Sequence, residues 1–235
     1  SPEGEIIGHV AMFRHSLDDR IAEAGKGAVE ASFRGHDIFG KITEEIIGTA
    51  KGLGLKGLYG RAVTVHTYSQ QMTQRTGYKE CAVLLGCAPA DVAFKGIAEH
   101  ASQRGTYVYV YLPLDGPSAV SLYPPRHHGP IIRRIYSHLG WDSRDFAPSQ
   151  DSVPRDDHSI IRSAVDPASN GAEIVVRSYG KDCLHLVSHI TKDLCIRKID
   201  HITLHLDLAD PLTASLCRGF EELGFFFAGI IPYLH

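Results

Sequence analysis

Nine residues near the N-terminus, FRGHDIFGK at positions 33–41, combine residue types that could do chemistry. Arg34 and Gly35 stand where a strand-like segment gives way to an amphipathic helix that opens near Ile38. A strand-to-helix turn of this kind points several main-chain N–H groups at one spot. The positive end of the helix dipole reinforces them, and a guanidinium adds charge-assisted hydrogen bonds. That is the outline of a pyrophosphate site, with contacts from Arg34, Gly35, His36, Asp37, Ile38 and Phe39. The same residues also suit an ordinary helix start capped by Asp37, with Arg34 in solvent.

The turn needs elements on both sides to hold it. Residues 5–13 (EIIGHVAMF) read as a strand, and 28–33 (AVEASF) as another, with Val29, Ala31 and Phe33 on one face. Ile38, Ile42, Ile46 and Ala50 recur at spacing four, with Ile47 beside them, which predicts a helix stopped by Gly52 and Gly54. A strand over 61–66 ends at His66. A short helix through Gln70 and Met72 closes at Gly77, and a strand over 78–85 completes a β-α-β-α-β order. In the strand over 106–112, Tyr107, Tyr109 and Tyr111 face one way and Val108, Val110 and Leu112 the other. A helix is expected over 130–139. The polar, proline-containing stretch 142–171 has no period and reads as the neighbourhood of a domain boundary. The last third repeats the early order: strand 172–177, helix 181–195, strand 202–208, helix 211–223 with Pro211 in its first turn, and strand 225–231. Gly77-Tyr78 recurs as Gly224-Phe225, which suggests an internal duplication.

The segment AVEASFRGHDIFGKITEEIIGTAKGLGLKGL resembles motif A of the GNAT superfamily of N-acetyltransferases: a strand, an Arg/Gln-x-x-Gly-x-Gly/Ala turn, and a helix that carries an acyl-CoA pyrophosphate. AVTVHTYSQQMTQRTGYKECAVLLG is similar to the strand-helix-strand that follows in that family. The resemblance implies an α/β (α+β) fold with a GNAT-like mixed sheet flanked by helices. It further implies two GNAT-like units in tandem, 1–117 with the acyl-CoA motif and 118–235 degenerate. The second copy lacks the phosphate turn, since Ser178-Tyr179-Gly180-Lys181 carries no Arg-Gly.

The implied cofactor is acetyl-CoA or another acyl-CoA, and the implied reaction is acyl transfer to the amine of a small molecule or peptide. A strand N–H near Val29 or Ala31 would polarise the thioester carbonyl. Glu30 and His66 are the candidate bases. Glu30 also reads as a solvated strand residue, and His66 as a helix cap or a cofactor contact. Ser69, with Gln70, opens the next helix either as a cofactor contact or as an N-terminal cap. The chain departs from the family at Asp37 and Phe39, where small residues are usual. It departs again at Thr73, which stands where a tyrosine would protonate the leaving thiolate. These departures support an alternative reading, a non-catalytic CoA- or ligand-binding module fused to or associated with a regulatory domain.

Composition narrows the remaining classes. The 235 residues are 43% hydrophobic and carry a formal charge of −3, so neither a nucleic-acid nor a membrane-surface partner is expected. Five scattered cysteines without a CxxC pair suit reduced thiols in a cytoplasmic protein. Fourteen histidines raise the question of a metal. His127 and His128 are adjacent, and from a helix they would diverge. His201 and His205 lack a third partner, so no metal centre is expected. There is no Gly-x-Ser-x-Gly elbow and no phosphate-binding Gly-Lys-Ser/Thr loop. The start at Ser1, directly before an apolar strand, leads us to expect a piece of something longer.

Overall fold

The computed structural model describes residues 4–14, 16–91, 103–142, 144–148 and 152–234. The chain divides into two compact units, the first comprising Ser1–Leu84, Thr106–Pro117 and Gly229–His235, the second Leu85–Gly105 and Ser118–Ala228. All five cysteines are free, and among the described residues no helix is long and apolar enough to cross a membrane.

The first unit is built from β1 (Gly8–Phe13), β2 (Ile21–Val29), a 3-10 turn (Ala31–Phe33), α1 (Ile38–Gly52), β3 (Gly57–Val63), α2 (Tyr68–Arg75), β4 (Lys79–Ala88) and β5 (Gly105–Pro113). The sheet order is β1-β2-β3-β5-β4. β1 pairs antiparallel with β2, β2 parallel with β3, and β3 antiparallel with β5. The spacing-four stripe of α1 forms a helix because it has a sheet to cover. Ile46, Ile47 and the fully buried Ala50 pack with Ala22, Leu58, Tyr78 and Val110. Past its last turn Gly54 takes φ +70°, and its N–H bonds to the Lys51 carbonyl at 3.0 Å, a left-handed stop that favours glycine.

The second unit holds α3 (Gly129–His138), β6 (Ile160–Asp166), β7 (Gly171–Ser178), α4 (Cys183–Ile196), β8 (His201–His205) and α5 (Pro211–Glu222). Its sheet runs β6-β7-β8, antiparallel then parallel. Ile174, Val176, Val187, Leu194 and Phe220 form its core. Inside that core the Tyr179 and Thr213 hydroxyls share a hydrogen bond of 2.6 Å. Asp210 caps α5 by accepting from the Leu212 N–H at 2.8 Å, and Pro211 occupies the first turn as its missing N–H allows.

Several expectations change. The strand expected over 28–33 is displaced toward the N-terminus: β2 ends at Val29, and Ala31–Phe33 is a 3-10 turn. The strand expected over 61–66 begins at Gly57 and stops at Val63, which leaves His66 beyond it. Instead of a strand over 225–231 there is a single bridge, Gly229 to Ala82. β6 falls within the stretch that carries no period, because most of its residues are exposed and show no alternation.

Candidate functional site

β2 and β3 run parallel, but their pairing covers only Ile21–Gly57, Ala22–Leu58 and Glu23–Tyr59. Both strands continue, to Val29 and Val63, without a ladder between them. A strand edge released in this way presents main-chain N–H and C=O groups to whatever enters the gap. Part of the cause lies on the other edge of β2. Opposite β1 the register slips between His9 and Ala11, a β-bulge in which Lys26 takes φ 51°. A bulge bends and twists its strand.

The turn at the end of β2 is wound by alternating backbone handedness. Gly35 has φ +86° and Asp37 φ 56°, with helical residues following. Alternation of this sort gathers successive N–H groups into an anion-binding concavity. The first N–H groups of α1 have no intrahelical acceptor, and they add the positive end of its dipole. A Cβ built on Gly35 would meet nothing within 4 Å, so the space above the turn is open. Arg34 donates through Nε to the Val29 carbonyl at 3.3 Å. That single bond leaves its terminal nitrogens as donors.

The remaining predicted residues fall into distinct places. Asp37 does not cap α1 through its side chain. Its carboxylate lies against Gly40, where a Cβ would come within 2.5 Å of Oδ1. The Phe39 ring sits on Gly27 of the β2 bulge, where a Cβ would be 2.1 Å from it, so the ring is tucked under the turn. The His36 ring is 3.4 Å from the Phe33 carbonyl. Ile38 begins α1. Ala31 lies in the 3-10 turn and not on the strand edge expected of it, and β2 reaches only to Val29. Glu30 precedes that turn, exposed and off the strand.

His66 lies between β3 and α2, its ring 5.6 Å from that of Tyr68. Burial lowers its pKa below the ordinary imidazole value, so it is neutral at pH 7. Ser69, in the first turn of α2, has a buried hydroxyl without a hydrogen-bond partner, as does Tyr78. Buried hydroxyls without partners are costly, and a polar ligand would satisfy them. The Thr73 hydroxyl donates to the Gln70 carbonyl at 2.9 Å, so its proton is already engaged.

Two residues that the sequence reading did not single out occupy the start of the gap. Glu23 is the last residue of β2 that pairs with β3, and its carboxylate Oε1 accepts from Arg61 Nε at 2.8 Å and lies 2.8 Å from Nη2. The Arg61 guanidinium also lies 5.7 Å from the Tyr107 ring centroid, and Tyr59 stacks on Tyr109 at 6.4 Å. The only sequence signal for Glu23 was an acidic residue inside a run of small apolar ones. In the second unit the premise that His127 and His128 diverge is overturned. They lie in the turn before α3, with His128 as its N-cap, and both reach Glu221.

No protein-family model and no curated protein matches the sequence. Among solved structures the chain is similar to a ribosomal-protein alanine N-acetyltransferase from Escherichia coli, with 13% identity and a TM-score of 0.40 over 49% of this chain and 66% of that one, just under two thirds. It is similar to a GNAT family acetyltransferase from Elizabethkingia anophelis with acetyl-CoA bound, at 19% identity and TM-score 0.39 over 47% and 70% of the two chains. A third similar structure is an IAA acetyltransferase from Bacillus cereus, at 18% identity and TM-score 0.38 over 47% and 72%.

Proposed function

We propose that the first unit binds a CoA thioester and transfers its acyl group to an amine of a small molecule or peptide, in a cytoplasmic protein. The observation that carries this reading is the end of β2–β3 pairing at Glu23–Tyr59, next to a turn whose amides gather at the mouth of α1. When bound, an acyl-CoA supplies an activated carbonyl and a thiolate leaving group. Arg34 and the amides of residues 35–39 hold the pyrophosphate. The freed edge of β2 up to Val29 aligns the chain that leads to the thioester and donates an N–H to its carbonyl oxygen. The unpartnered Ser69 hydroxyl completes the cradle.

Neutral His66 accepts the proton released as the amine attacks. Of the two carboxylates, Glu23 stands at the gap and Glu30 outside it. Glu23 balances the positive charge that develops on the nitrogen of the neutral amine as it attacks, in exchange for part of its bond to Arg61. Order and sense of pairing in the second unit, β6-β7-α4-β8-α5, repeat those of β1-β2-α1-β3-α2. That repetition supports a tandem of two GNAT-like units, of which the second is degenerate.

Calorimetric titration with acetyl-CoA tests the reading. Arg34→Ala is expected to weaken binding roughly tenfold or more, the worth of a charge-assisted hydrogen bond. Absence of binding by the unaltered chain, or binding indifferent to Arg34, sinks the proposal. The engaged hydroxyl of Thr73 favours a second reading, CoA binding without turnover. Release of free thiol over a panel of amines distinguishes the two.

A further inference from the structure

The second unit brings four metal-binding side chains to one point. His127 and His128 come from the turn that precedes α3, and Cys217 and Glu221 from successive turns of α5. One ligand atom from each lies within 4.8 Å of all the others. His127 Nε2 is 2.9 Å and His128 Nε2 2.6 Å from Glu221 Oε1, and Cys217 Sγ is 3.9 Å from the same oxygen. Residues four apart on a helix share a face, so α5 presents thiol and carboxylate together. Adjacent histidines converge because their backbone is a turn and not a helix. The N–H groups of His128 and Gly129 both bond to the Pro125 carbonyl, at 3.0 and 2.8 Å. Pro124 and Pro125 are buried, and Phe227 stacks on the His128 ring at 4.7 Å. The His128 ring is therefore held in place by packing that does not depend on its contact with Glu221.

We propose that His127, His128, Cys217 and Glu221 form a zinc site that staples the turn before α3 to α5. Two imidazole nitrogens, one thiolate and one carboxylate oxygen are a donor set for a tetrahedral borderline-soft cation. With bonds of about 2.0 to 2.3 Å, the edges of such a tetrahedron are roughly 3.3 to 3.7 Å. The nitrogen–oxygen contacts here are shorter than that and the widest separation longer, so entry of the ion requires side-chain shifts on the order of 1 Å. Zinc binds Cys217 as the thiolate, and the thiol proton leaves to solvent. Four protein ligands close the coordination sphere, which marks a structural role. Cys217 is buried, whereas both histidines and Glu221 retain some exposure, which gives the ion a route in.

The experiment uses the full chain, stripped with a chelator, desalted and titrated separately with zinc chloride and cobalt chloride. One tightly held zinc per chain is expected, together with a rise in the unfolding midpoint. Cobalt should give the intense visible bands of a tetrahedral ion and a sulfur-to-cobalt charge-transfer band. Cys217→Ser should remove the sulfur band, and Glu221→Gln should weaken zinc binding roughly tenfold or more. Failure of the unaltered chain to retain metal or to show the cobalt bands overturns the proposal and leaves a carboxylate hydrogen-bonded to two imidazoles. Undiminished zinc binding after both substitutions overturns it as well. The cobalt spectrum of the unaltered chain decides even where a variant fails to fold.

Discussion

The two parallel strand pairs of this molecule share a topology and differ in what happens at their ends. In the first unit β2 and β3 pair at three positions and then part. In the second, β7 and β8 stay paired from Gly171–His201 to Val175–His205, where β8 ends. The strand-to-helix turns differ in the same sense. At Gly35 the turn is open. At Gly180 it is filled by the chain itself: the Gly180 N–H donates to Ser159 Oγ at 2.8 Å and the Lys181 N–H to the Asp156 carbonyl at 2.9 Å. Asp182 accepts from the Ser159 N–H and hydroxyl at 2.8 and 2.7 Å. The amides of a β-α-β turn are available to a ligand only while the chain leaves them unclaimed. Once residues 156–159 satisfy them internally, the same turn becomes core.

The sharpest way to break this comparison is to place a methyl group on each turn glycine. On Gly180 a Cβ would stand 2.3 Å from the His158 carbonyl carbon and 2.7 Å from the Ser159 nitrogen, main-chain atoms that cannot swing aside. Gly180→Ala should destabilise the second unit by about 3 kcal/mol. On Gly35 the methyl meets no neighbour, and only the left-handed backbone is penalised, by about 1 kcal/mol. Trp141, the single tryptophan, is buried in the second unit and reports its urea unfolding by fluorescence. Equal midpoints for the unaltered chain and Gly180→Ala would show that the second turn is not filled as described.

Acid should weaken the second unit nearly as strongly. Burial, with Arg177 adding to it, lowers the His205 pKa from 6.5 to about 4. Below pH 6.5 the unfolded chain takes up a proton that the folded chain refuses, so stability falls as pH falls and levels off near pH 4. At about 1.36 kcal/mol per pH unit, that interval amounts to about 3 kcal/mol. Urea midpoints read through Trp141 should drop between pH 7 and pH 5 by less in His205→Gln than in the unaltered chain. The same slope in both would remove His205 from the account.

How much of this was legible in the sequence depended on the range of the interaction. The stripe Ile38, Ile42, Ile46, Ala50 carries its own period, so α1 and its glycine stop could be read locally. β2 was misplaced because Gly25, Lys26 and Gly27 look like a loop, and only the pairing with β1 makes a bulged strand of them. β6 was missed because a mostly exposed edge strand has no alternation to read. In the candidate site, the turn before α1 is a contiguous segment, so its residues could be read locally. Arg61 and Glu23 are 38 residues apart, and His127 and Glu221 are 94 apart. Contacts at such separations leave no spacing signal, and the adjacency of His127 and His128 argued the wrong way until the turn was known.

The smallest expected effect is the most informative about the open turn. Asp37 places a carboxylate beside the first turn of α1, where its charge is favourable to the helix dipole and unfavourable to a pyrophosphate. Its backbone, at φ 56°, is one that glycine adopts more readily. Asp37→Gly therefore loses a dipole interaction and relieves backbone strain. Each is about 0.5 to 1 kcal/mol, so stability should barely move. Acetyl-CoA affinity should rise by about three- to tenfold, and the gain should shrink at high salt because it is a charge effect. Asp37→Asn, which keeps the side-chain shape, should reproduce most of that gain if charge is the cause. Asp182 occupies the corresponding N-cap of α4, where the bonds to Ser159 lower its pKa. Those bonds weaken when the side chain is neutral, so Asp182→Asn should lower the stability read by Trp141 near pH 7 and leave acetyl-CoA binding unchanged. A gain in affinity from Asp182→Asn, or none from Asp37→Asn, would mean that the two turns do not divide between ligand and core.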